Sequence, residues 1–265
     1  MQKTKKKHFI YLIIAIAACA WCVIGTGCGG DEEAGSVQIH VAENGSDSKG
    51  SGSPENPFAT ITYAASQAGP GTEVIVHEGT YEKLELDRSV SGMKGAPVVF
   101  RAADGENPVI RPGKGTKGQD SVGIHIVNAD HITIDGLEIE GGTHGIYYES
   151  TSEQGETPLE NIAIKNCTVH GIRGTHGICV YACNDLAPVK NLTMERCRVY
   201  DCECGSSEST VLNGNVDGFL ISGNVIHDNN NIGIDMIGFE GNAKHKTGSG
   251  FDNLYDVDFV RNGAC

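Results

Sequence analysis

The stretch ITIDGLEI (residues 132–139) returns three times without a gap, as IAIKNCTV (162–169), LTMERCRV (192–199) and FLISGNVI (219–226). In each copy the first and third residues are apolar, the pattern of a strand with one buried face. The sixth position runs Leu137, Cys167, Cys197, Asn224, and the eighth runs Ile139, Val169, Val199, Ile226. A chain that repeats at about 30 residues stacks its copies, because no single copy can bury its apolar face alone. The repeated positions therefore predict columns of side chains, coil upon coil, about 4.8 Å apart.

A second strand precedes each copy: GIHI (123–126), GIYY (145–148), GICV (177–180) and GIDM (233–236). TVLN (210–213) takes the same slot if Val211 is aligned with Ile124, since each lies eight residues before the start of the following copy. Each coil thus holds at least two short strands. Stretches of variable length at 149–161, 181–191, 200–209 and 238–256 are expected to lie together on one side of the stack, where solenoids place insertions. VDFVRNGAC (257–265) aligns as a fifth copy. An open final coil would expose a sheet edge, so the chain is expected to be the N-terminal piece of something longer, or to have that end covered by a partner.

Working outward to the N-terminus, VQIHV (37–41) reads as a strand and is followed by a loop rich in Gly, Ser, Pro and Asn. PFATITYAASQA (57–68) sets Phe58, Ile61, Ala64, Ala65 and Ala68 at helical spacing, and GTEVIVHEGTY (71–81) is an apolar strand bounded by Gly. This order resembles the N-terminal cap of secreted right-handed parallel β-helix proteins. Asn44-Gly45-Ser46-Asp47, Pro57-Phe58, Thr60-Ile61, Gly71-Thr72 and Gly79-Thr80-Tyr81 carry the match. The expected fold is all-β: a right-handed single-stranded parallel β-helix with a short N-terminal capping helix, over residues 37–265.

Residues 1–27 read as an export signal, with Lys3 and Lys5 to Lys7 ahead of an apolar stretch from Phe9 to Ile24 that ends in small residues. Gly25-Thr26-Gly27-Cys28 is the favoured lipidation site, because Cys28 stands where the apolar stretch ends and the polar tether (28–36) begins. Cys19 is the alternative and plain secretion the third reading. The expected location is the cell envelope or the exterior, with membrane contact only through a lipid anchor. Removing residues 1–27, which hold four Lys and no acid, takes the formal charge from −14 to −18. That charge argues against nucleic acid as a partner and for meeting acidic polymers only by way of cations. Cys167, Cys179, Cys183, Cys197, Cys202, Cys204 and Cys265 would enter an oxidising compartment, where disulfides are expected; zinc at Cys179-x3-Cys183 or Cys202-x-Cys204 is the lesser alternative.

NVIHDNNNIGIDMIGFEG (224–241) concentrates the candidate chemistry. Alignment makes Asn224, Ile226, Gly233, Ile234 and Met236 ordinary coil positions. His227 falls where Glu140, His170 and Tyr200 stand, Asp228 where Gly141, Gly171 and Asp201 stand, and Asp235 where His125, Tyr147 and Cys179 stand. The surplus is Asp228, Asp235, Glu240 and three Asn, with Asp217 nearby in the chain. Carboxylates about 5 Å apart repel unless a cation intervenes, and calcium prefers such oxygen donors. Asp217, Asp228, Asp235 and Glu240 are the expected calcium ligands, with Asn229 to Asn231 as further donors.

Export signal, N-terminal phrase and repeats together resemble bacterial polysaccharide lyases of the pectate lyase β-helix type, especially the ninth polysaccharide lyase family. Asn215-Val216-Asp217-Gly218-Phe219 is similar to that family's Asn-x-Asp-Gly-Phe phrase, which carries a calcium ligand. The resemblance implies calcium-assisted β-elimination on an acidic polysaccharide, with a lysine base. Lys244 is the candidate base and His227 a second proton-transfer candidate; Lys244 and Lys246 depart from the pattern by standing in a polar loop. His144 and His176, in the repeated THGI, form a further pair. Three alternatives stay open: a non-catalytic glycan-binding or adhesion β-helix, a glycoside hydrolase using Asp217 with Asp235 or Asp228 with Glu240, and a fragment without activity. The protein is expected to be a monomer.

Overall fold

The computed structural model describes residues 36–113 and 121–238. They wind into a parallel solenoid whose strands form three sheets, one of eight strands and two of six, with Leu159–Glu160 an extra short strand of the first. The first sheet stacks Val37–Val41, Thr72–Val76, Val98–Ala102, Ile132–Asp135, Ile162–Lys165, Val189–Glu195 and Val216–Ser222. The second stacks Thr80–Tyr81, Val109–Ile110, Glu138–Glu140, Thr168–His170, Arg198–Tyr200 and Val225–His227. The third stacks Leu84–Leu86, Val122–Val127, His144–Ser150, His176–Ala182, Thr210–Gly214 and Ile234–Ile237.

The eight-residue repeat is thus two strands joined by a sharp corner. Its fifth residue (Gly136, Asn166, Arg196 or Gly223) has φ between 52° and 73°, a left-handed conformation that turns the chain in one step. The turn resets the alternation, so the inward positions run first, third, sixth and eighth. Ile132, Ile134, Leu137 and Ile139 are fully buried beneath Ile162, Ile164, Cys167 and Val169, and these beneath Leu192, Met194, Cys197 and Val199. Each such aliphatic side chain stabilises the stack by roughly 1.5–3 kcal/mol. The corner after the second sheet uses Gly141, Gly171, Asp201 and Asp228 in the same conformation, with φ from 51° to 79°.

The glycine of the GI motif has a different cause. A Cβ on Gly145 would lie 2.3 Å from Val169 Cγ1 and 2.4 Å from the Gly177 carbonyl oxygen. The second and third sheets approach so closely there that only hydrogen fits.

The capping helix spans Ile61–Gln67, with Thr60 as N-cap accepting from the Tyr63 N–H. Ile61, Ala64 and Ala65 bury against the first coils, while Phe58 packs into the core ahead of the helix.

Three expectations need correction. The segment 200–209 leaves the second sheet for the third, whereas those after 149 and 181 leave the third for the first; the insertions therefore occupy two corners. Val211 pairs with Cys179 and Thr210 with Ile178, one residue away from the alignment of Val211 with Ile124. The slip places Leu212 in the core under Val180 and turns Val211 outward. The six described cysteines, Cys167 to Cys204, are thiols. The Cys167 thiol donates to the Lys165 carbonyl at 3.1 Å and the Cys197 thiol to the Ile164 carbonyl at 3.5 Å.

Candidate functional site

The outer face of the third sheet carries the densest chemistry. In register along the stack stand His125, Tyr147, Cys179, Val211 and Asp235. Beside them run Glu149, Tyr181 and Asn213. Outward-facing positions normally meet water, yet Cys179, Val211 and Asn213 are at most 4% exposed. These three side chains are therefore withdrawn from solvent, while His125, Tyr147, Glu149 and Asp235 stay partly exposed.

Glu149 organises one end of it. His125 Nε2 lies 3.2 Å from Glu149 Oε1, and the Tyr147 hydroxyl donates to Oε2 at 3.2 Å. The two rings stack with centroids 5.1 Å apart and planes 3° from parallel. The hydrogen bond from His125 holds the Glu149 carboxyl below the usual glutamate range, burial opposing it. Burial and the neighbouring Glu149 charge push the Tyr147 hydroxyl far up, so it stays a donor. His144 stacks on Tyr147 at 5.1 Å and lies 5.6 Å from His176, whose Nδ1 meets the Glu208 carbonyl oxygen at 2.8 Å. The paired THGI histidines are thus nearly buried neighbours at the entry to this sheet. Burial raises the Cys183 thiol to about 11 and the Cys179 thiol further, which makes both poor nucleophiles.

The residues singled out from the sequence are dispersed around the coil. Asp235 faces outward on the third sheet as expected, its Oδ1 accepting from the Met236 N–H. Asp217 leads into the first sheet opposite Lys190, whose Nζ lies 3.6 Å from Oδ2. Asp228 is the left-handed corner after the second sheet, largely exposed, with Oδ2 2.8 Å from His227 Nδ1. Arg198 Nε lies 3.2 Å from His227 Nε2. A guanidinium can only donate, so His227 Nε2 accepts and its proton sits on Nδ1. That tautomer directs the His227 lone pair at Arg198 rather than at a substrate.

Asp217, Asp228 and Asp235 do not bring three ligand atoms within 4.8 Å of one another, and the amide oxygens of Asn229 and Asn230 are already engaged. Asn229 Oδ1 accepts from Cys202 N at 3.0 Å and Asn230 Oδ1 from Cys204 N at 2.6 Å, while Asn231 Nδ2 donates to the Ser207 carbonyl. The three Asn tie the 201–209 segment to the next coil. The described carboxylates do not by themselves make a calcium cage. Glu240, Lys244, Lys246, Cys28 and the copy at 257–265 lie outside the described residues.

His125, Tyr147 and Glu149 were missed as a group. Glu149 reads from the sequence as the first residue of a variable loop, whereas the strand continues to Ser150. The alternation of Tyr147 and Glu149 with buried Ile146, Tyr148 and Ser150 was the available signal.

Three parallel sheets stacked coil upon coil around one core define a β-solenoid of the right-handed β-helix class. The chain belongs to the Pel9A-like right-handed β-helix family, which matches residues 39–259. It is 34% identical over 276 aligned positions to the uncharacterized protein YwoF of Bacillus subtilis, covering 98% of this chain and 54% of that protein. It is 27% identical to pectate lyase PEL9 of Emericella nidulans, covering 67% of this chain and 46% of that one. The chain spans about half the length of the curated relatives it matches. Among solved structures, pectate lyase Pel9A superposes with a TM-score of 0.60 at 18% identity, over 76% of this chain and 50% of that one. A GH136 lacto-N-biosidase from Eubacterium ramulus gives 0.60 at 15% identity, over 76% and 43%. At these identities the likeness is one of fold, and the fold serves both lyases and glycoside hydrolases.

Proposed function

We propose that the protein is an exported polysaccharide-active β-helix whose third-sheet face receives an acidic glycan of the pectate class and cleaves it by β-elimination. The observation that carries this reading is the outward column in register from His125 through Tyr147 to Asp235. It supplies hydrogen-bond donors, aromatic rings and a carboxylate along the stack axis, in family with a named pectate lyase. Four coil spacings separate His125 from Asp235, about 19 Å at the usual strand spacing, enough for several sugar units.

An acidic protein meets an acidic polymer through cations. In this proposal calcium supplies that bridge, with Asp235 on the glycan face and Glu240 as its carboxylate partners and Lys244 as the base, while Asp217 stays paired with Lys190 on the first sheet. Export with lipidation at Cys28 and a monomeric state complete the reading. Affinity electrophoresis in gels containing polygalacturonate, with calcium or with chelator, tests the binding step. Retardation that needs calcium and is lost in Asp235→Ala supports it. Mobility unaffected by any uronate polymer would remove it.

A further inference from the structure

We propose a second metal site, for a zinc-class ion, on the outer face of the second sheet, formed by Glu138, Glu140 and His170. Glu138 and Glu140 are two residues apart on one strand and so face the same way. His170 pairs with Glu140 in the next coil. One ligand atom from each residue lies within 4.8 Å of the others, and they are the one such group of three among the described residues. His170 Nε2 is already 2.9 Å from Glu138 Oε1, so the two need part by only about 0.4 Å to reach the roughly 3.3 Å edge of a zinc tetrahedron with bonds near 2.0–2.1 Å. Arg111 holds Glu140 through Oε2, with Nε at 2.8 Å and Nη2 at 2.5 Å, and leaves Oε1 for an ion.

The donor set selects the ion. One imidazole with two carboxylates suits zinc and its neighbours in the first transition row, whereas calcium takes oxygen alone. The imidazole is also held in place: His170 stacks on Tyr200 at 4.9 Å and 6°, and Tyr200 stacks on His227 at 5.3 Å and 2°. Arg198 covers the same Tyr200 ring at 4.7 Å. Because these rings lie face to face along the stack, their edges point outward, which favours coordination by a ring nitrogen over stacking of a sugar. An ion here would join two successive coils on a face other than the glycan face, independently of the lyase reading.

Isothermal titration of the purified, metal-stripped protein with zinc alone tests the site, with cobalt absorption to identify the donors. The expected result is one equivalent of zinc, with affinity lowered at least about tenfold in both Glu138→Gln and His170→Gln, as even loss of an outer-shell partner causes. Glu153→Gln, an exposed carboxylate elsewhere, leaves it unchanged. Melting curves of the metal-free variants check that each is folded; Glu138→Gln keeps the side-chain shape should His170→Gln fail. No zinc binding, binding retained in either folded variant, or cobalt bands from thiolate ligands would each overturn the proposal.

Discussion

His125 and Tyr147, one coil apart, stack 3° from parallel and both engage the Glu149 carboxylate. A surface carboxylate left to water would have no need of two partners. Here it fixes both rings on the outer face of the third sheet.

Glu149→Gln is expected to lower stability by about 1–2 kcal/mol, the value of hydrogen bonds to a charged group in a half-buried setting, and to weaken retention on acidic glycan. The pH dependence has a definite sign. The folded Glu149 carboxyl sits below its unfolded value, so its contribution is present above the ordinary glutamate range and is lost as the pH falls through the folded value. Urea midpoints measured between neutral and acidic pH should fall more steeply for the native protein than for Glu149→Gln. Parallel curves would remove the role given to this carboxylate.

Asn229→Ala leaves the Cys202 N–H and the Val199 carbonyl without their side-chain partner. An unsatisfied buried group costs about 1–3 kcal/mol. In a domain of this size that corresponds to a fall in Tm of about 2–4 °C per kcal/mol. An unchanged Tm would return these amides to the list of cation donors.

Gly145→Ala drives a methyl group into the Gly177 carbonyl and the Val169 side chain. The expected loss is about 3 kcal/mol, at the upper end for overpacking, read as a shifted denaturant midpoint. Ala at Gly141, whose Cβ would meet nothing within 4 Å, should lose only the smaller cost of its left-handed φ of 79°.

The repeats in the sequence locate the coils because Ile132, Ile162 and Leu192 bury the same face in register. Reading the polar positions was harder. The register of 210–213 misled because Thr210, Val211 and Leu212 are all buried, which erases the alternation that fixes a strand's face. Asp228 looked like a ligand because an acid at a corner cannot be told from an acid at a site without its φ. Asn229 and Asn230 looked like surplus oxygen because their acceptors serve N–H groups some 26–27 residues away in the chain. Glu149 escaped because its partner His125 is 24 residues distant.

The central claim is tested most directly by ultraviolet absorbance of unsaturated uronides, followed on polygalacturonate and alginate with added calcium and with chelator. The account predicts a rise on an acidic polymer that requires calcium and is abolished in Asp235→Ala. No rise on any uronate polymer, with the protein shown to be folded, would contradict it.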